Sequence, residues 1–150
     1  MDLKARIQDD MKSAMRAGEK ERLATIRLIL AGIKQREVDE RIQLDDTQVL
    51  AVLEKMVKQR RESIAQFEAG GRADLVAKES AELAVLAGYL PEQLSEQELD
   101  QLVAATIADT GASSIKDMGK VMNALKAKVQ GRADMGALGA RIKARLSAPA

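Results

Sequence analysis

The chain contains no histidine and no cysteine. Those absences remove Ser-His-Asp and Cys-His nucleophilic sites, thiolate redox chemistry and the usual zinc ligand sets. They also remove the side chain that normally titrates near neutral pH. Any catalyst must draw on carboxylates, lysine or the single Tyr89. With one Phe, one Tyr and no Trp, aromatic platforms for stacking unpaired bases are missing too. No apolar run approaches the roughly 20 residues of a membrane span. The N-terminus, MDLKARIQDD, is amphipathic and acidic within ten residues, unlike a secretory signal or a transit peptide. A chain with no disulfide framework is expected in the cytoplasm.

What is present is helix-forming and charged. Apolar content of 46% beside 31% charged residues reads as a folded chain, not a disordered one. Leu3, Ile7, Met11 and Met15 recur at intervals of four, and Ala17-Gly18 supplies a stop. Leu23, Ile26, Leu30 and Ile33 give a second helix to about Glu37, followed by a connector over 38–46. Asp46 is expected to cap a long third helix through Val49, Leu53, Met56, Arg60, Ile64 and Phe67, ending at Gly70-Gly71. Asp74 is expected to cap a fourth, carrying Leu75, Leu83 and Leu86.

Tyr89-Leu90-Pro91 breaks this pattern, because a residue before proline is pushed out of helical geometry. Ser95 and Glu98 then form a capping box, with Leu94 and Leu99 at the staple positions. That helix runs to Gly111. Ser114 with Asp117 begins another, carrying Val121, Met122, Leu125 and Val129 to Gly131. Asp134 caps a last one with Leu138, Ile142 and Leu146. The fold class is therefore all-α: an N-terminal bundle of about four helices over 1–90, then a three-helix unit over 91–150.

Charge is unevenly placed along this frame. From Thr110 onward there are eight basic residues, Lys116, Lys120, Lys126, Lys128, Arg132, Arg141, Lys143 and Arg145, against Asp117 and Asp134. Residues 91–109 carry five acids and no base, while 1–90 balances at sixteen each. A cationic end inside a chain of net charge +1 suits a polyanionic partner better than a small-molecule site. The eight cations are the candidate contacts for such a polyanion, and Gly119 and Gly131 are candidate points of close backbone approach. Gly119, inside an apolar-periodic helix, also fits close helix packing.

Gly-Arg-Ala-Asp occurs twice, at 71–74 and 131–134. Each copy reads as a left-handed glycine stop followed by an aspartate start. The arginine lies beside a helix N-terminus in both, where anions are favoured, and Arg132 also has basic surroundings. The cluster Lys55, Lys58, Arg60 and Arg61 is interleaved with Glu54, Glu62 and Glu68 and reads as an ordinary charged face. Glu79 and Glu82, a turn apart, are a conceivable carboxylate pair with nothing nearby in sequence to tune them. No catalytic, metal or cofactor residues emerge.

The strings KQRRESIAQFEAGGRADLVAKESAEL at 58–83, YLPEQLSEQEL at 89–99, GASSIKDMGKVM at 111–122 and GRAD at 131–134 closely resemble the YqeY family. That family shares its fold with the C-terminal tail of GatB, a subunit of the tRNA-dependent amidotransferase. The resemblance covers essentially the whole chain, and its ordered series of motifs is what makes it specific. It implies a larger N-terminal helical bundle and a small C-terminal three-helix unit. In GatB the tail helps hold transfer RNA, while amide transfer occurs in a cradle domain that has no counterpart here. The label attached to such proteins, carbon–nitrogen ligase with glutamine as amido-N-donor, finds no glutaminase nucleophile, metal cluster or ATP loop among these residues. The implied role is a module binding tRNA or a tRNA amidotransferase or synthetase complex. Two alternatives stand beside it: an accessory to or component of such a ligase, and a helical protein-interaction adaptor.

Overall fold

A computed structural model describes residues 2–147. Among them are seven α-helices, one short 3-10 turn and no strand, so the protein is all-α. The chain divides after Leu90 into two compact units, Met1–Leu90 and Pro91–Ala150.

The first unit holds α1 (Leu3–Ala17), α2 (Lys20–Glu40), α3 (Asp46–Ala69) and α4 (Ala73–Ala87). Ile7 and Ala14 of α1, Ile26, Ile29 and Ile33 of α2, Val49 and Leu53 of α3, and Leu86 of α4 are buried in one core. Burying each large aliphatic side chain stabilises the unit by about 1.5–3 kcal/mol. α2 and α3 pack closely at Gly32, where a Cβ would stand in ordinary van der Waals contact, 3.4 Å from Val52. α1 starts at Asp2, whose carboxylate accepts from the Ala5 N–H at 2.7 Å. It stops at Gly18, in left-handed geometry with φ 71°.

Three starts and stops differ from the sequence expectation. α2 continues to Glu40 because Glu37 is buried and useful there. Its carboxylate accepts from Lys4 Nζ at 2.7 Å and from the Leu44 N–H at 2.9 Å, which organises the turn beyond the helix. The α3 cap is Asp45, not Asp46. Asp45 and Gln48 form a reciprocal capping box, at 2.8 and 3.0 Å, whereas Asp46 accepts from the Leu3 N–H at 2.9 Å and ties the start of α1 to that of α3. Asp74 does not cap α4. The helix begins one residue earlier, and Asp74 in its first turn is gripped by Arg72 through two hydrogen bonds at 3.1 and 3.2 Å.

The second unit holds α5 (Glu96–Thr110), the 3-10 turn Ile115–Asp117, α6 (Met118–Val129) and α7 (Met135–Ser147). Each helix packs on the other two. Leu99 and Val103 of α5, Val121, Leu125 and Val129 of α6, and Leu138 and Ile142 of α7 make a separate core. Leu94 packs against the same core as Leu99, as a staple should. Ser95 accepts from the Glu98 N–H at 3.1 Å, but Glu98 returns to the Ser95 hydroxyl, so only half of the capping box has its usual form. Among the described residues no helix is long and apolar enough to cross a membrane.

Candidate nucleic-acid interface

In the second unit α5 is the acidic corner and α6 with α7 the basic ones. The eight cations do not form one stripe. Val121, Leu125 and Val129 turn α6 toward the core, which leaves Lys126 and Lys128 on opposite flanks and Lys120 on the outer face. Lys116, Lys120, Lys126, Lys128, Lys143 and Arg145 are all exposed. No ion pair with a described residue holds any of these six.

Arg141 behaves differently. Its guanidinium pairs with Asp100 and, at 3.4 Å, with Glu96, and it is half-buried. It fastens α7 to the acidic helix, and its charge is already matched. Asp117 is held below the usual carboxylate range, chiefly by the backbone N–H groups of Ser113 and Ser114 and further by nearby Lys120. The anion is thus fixed in the turn that starts α6.

Arg132 sits in the second Gly-Arg-Ala-Asp turn, which is pinned to residues 92–94. The Arg132 carbonyl accepts from the Leu94 N–H at 2.8 Å, the Gly131 carbonyl from Gln93 Nε2 at 2.6 Å, and Arg132 Nε donates to the Glu92 carbonyl at 3.0 Å. Gly131 is buried with φ 75°, so left-handed geometry is what requires glycine there. Asp134 caps α7 through the Gly136 N–H at 3.0 Å. Gly119 is exposed with nothing within 4 Å of a Cβ placed on it; helix packing is not its reason, and the space beside it is open. Lys128 and Arg132 line one cleft of about 580 Å³ together with Glu98, Gln101 and Leu102.

The first unit offers less for an anion. Arg60 lies between Glu79 and Glu82, at 3.2 and 2.7 Å, so the carboxylate pair is a partner for a half-buried cation joining α3 to α4. Sequence reading missed a second cluster. The Tyr89 hydroxyl donates to Asp10 at 2.6 Å, Arg6 lies 5.1 Å from the ring centre, and Arg22 lies 4.0 Å from Asp10. Burial, and then the hydrogen bond to Asp10, pushes the phenol up to about 12. Its one sequence signal was the lone tyrosine at the helix break. Among the described residues no three carboxylates converge as a metal site.

A family model described as Yqey-like protein matches residues 4–146. The chain belongs to the YqeY family. Curated relatives of this YqeY member include "Altered inheritance of mitochondria protein 41, mitochondrial" from three fungi. The Pyrenophora tritici-repentis protein is 35% identical over 130 residues, covering 85% of this chain and 71% of its own length. The Kluyveromyces lactis protein is 38% identical over 109 residues, covering 70% and 58%. The Eremothecium gossypii protein is 41% identical over 90 residues, covering 59% and 49%. The matches thus take in between about half and seven-tenths of those relatives. Their names correct the cytoplasmic expectation. It rested on missing cysteines, which exclude disulfides but do not distinguish one compartment from another, and these YqeY relatives are named as mitochondrial proteins.

Proposed function

We propose that this YqeY protein is a binding module for structured RNA, a tRNA or a tRNA-charging or amidotransferase complex, and that it performs no chemistry itself. The observation that carries this reading is the set of six exposed cations on α6, α7 and the turn before them, none in an ion pair with a described residue. Phosphate contacts from such residues supply affinity without reading sequence. With one Tyr and one Phe in the chain, recognition is of backbone and shape. Arg141 drops out of the proposed contact set, because Asp100 and Glu96 already hold it.

The test is binding of a transcribed tRNA to the full chain across a salt series. Affinity is expected to fall by roughly 0.7–0.9 log units per tenfold salt for each phosphate contact. Replacing Lys116, Lys126 and Lys143 together by Ala should weaken binding and flatten that slope. Absence of binding at low salt would sink the proposal. It would favour the adaptor reading, which one observation supports: a cleft of about 580 Å³ between α2 and α4, where the small side chains of Ala24, Ala77 and Ala81 alternate with charged ones such as Arg22, Lys78 and Glu82.

A further inference from the structure

We infer that the cleft between α5 and the end of α6 is a subsite for one ribonucleotide of the bound RNA. This rests on the RNA reading above and assigns the cleft a chemical selectivity that the dispersed lysines lack. Three kinds of group line it. Arg132 and Lys128 supply positive charge, Glu98 and Gln101 supply a carboxylate and an amide, and Leu94 and Leu102 supply apolar surface.

Arg132 is the decisive residue. Its Nε is fixed to the Glu92 carbonyl, and its main chain is fixed to Leu94. The two Nη groups have no carboxylate partner among the described residues. Asp74 grips the equivalent arginine of the first Gly-Arg-Ala-Asp copy, while Asp134 is engaged at the α7 start and leaves Arg132 unmatched. An arginine held by Nε with its outer edge unmatched is prepared for bidentate contact with a phosphate. Lys128 adds a second charge from the same cleft.

A phosphate alone does not account for Glu98. A carboxylate in the same cleft repels a second phosphate and accepts from hydroxyls. Exposed Glu98 accepts from the Ser95 hydroxyl through Oε1 at 3.1 Å, and no described residue donates to Oε2. The ligand that matches cations, a carboxylate, an amide and apolar surface within about 580 Å³ is a nucleotide with a free 2′-hydroxyl. The 2′-hydroxyl is also the group by which a protein distinguishes RNA from DNA.

The experiment measures affinity of the full chain for an RNA hairpin with a single-stranded 3′ end and for the DNA hairpin of the same sequence, across a salt series. The unmodified protein should prefer RNA by about tenfold, the worth of one charge-assisted hydrogen bond. Glu98→Gln keeps the Ser95 contact and should reduce that preference severalfold at unchanged salt slope. Ala105→Leu fills the cleft from an exposed helical position without changing charge and should abolish the preference. Lys128→Ala should weaken RNA and DNA alike and lower the slope by about one. Unchanged far-UV circular dichroism confirms that each variant is folded. Equal binding of the two hairpins, or a preference that survives both Glu98→Gln and Ala105→Leu, overturns the subsite and leaves the RNA reading standing. No binding of either hairpin at low salt overturns both.

Discussion

Arg72 and Arg132 occupy the same place in the same tetrapeptide and have different fates. Arg72 closes on Asp74 two residues away, whereas Arg132 turns to the Glu92 carbonyl. The difference lies in what is nearby in space, which no local pattern carries. Tyr89 shows the same dependence on distant residues, since its partner Asp10 lies 79 positions away. Because it is the only tyrosine, an ultraviolet titration reads it without interference. The phenol should ionise near pH 12 against about 10 for a free one, and Asp10→Asn should bring it down. The sign follows: stability from the neutral phenol is present below about pH 10 and lost as pH rises toward 12. Glu37 acts at the opposite end. Lys4, and then the Leu44 N–H, hold it below the usual carboxylate range. Its contribution is present above that range and lost as pH falls through its lowered value. Glu37→Gln should therefore lower the denaturation midpoint at neutral pH and narrow the gap from the midpoint under acid.

At the scale of elements, the helices were legible because their apolar spacing and their glycine stops agree. Ile7 and Ala14, or Val121, Leu125 and Val129, each fall on one face, and Gly18 and Gly111 end helices in left-handed geometry. The α2–α3 turn was not legible. Its organiser is a buried Glu37 answered by Lys4, 33 residues away, and periodicity scores such a glutamate as surface. The two capping differences have separate causes: Asp45 and Asp46 are adjacent candidates and geometry chooses Asp45, whereas no side chain caps α4 and Asp74 pairs with Arg72 inside its first turn. Of the candidate site, charge and its segment could be read, but pairing could not; Arg141 looked like its neighbours until α5 was packed against α7. Ser95→Ala should cost the second unit about 1 kcal/mol, seen as a lower urea midpoint. Residues 92–94 are held by Gln93 and Arg132, so Gln93→Ala with Arg132→Ala should speed limited proteolysis between Leu86 and Glu96. Cleavage appearing first within 47–69 instead would contradict that picture of the joint.

At the scale of the whole molecule, two cores of unequal size serve one chain. Leu125 is fully buried in the smaller, and Leu125→Ala should destabilise it by about 2–5 kcal/mol. Hydrogen exchange should then rise across α5, α6 and α7, with α1 to α4 protected as before; equal loss in both would mean a single cooperative structure. The second unit holds eight basic and seven acidic residues, so its net charge is nearly nil. Four of its seven acids lie on α5 and five of its exposed bases on α6 and α7, with Arg141 at the seam. Such a body feels little net pull toward a polyanion but a strong torque. Electrostatics would then act chiefly on encounter: the unit swings its basic helices toward the polyanion before touching it, and the fraction of collisions that arrive correctly oriented rises.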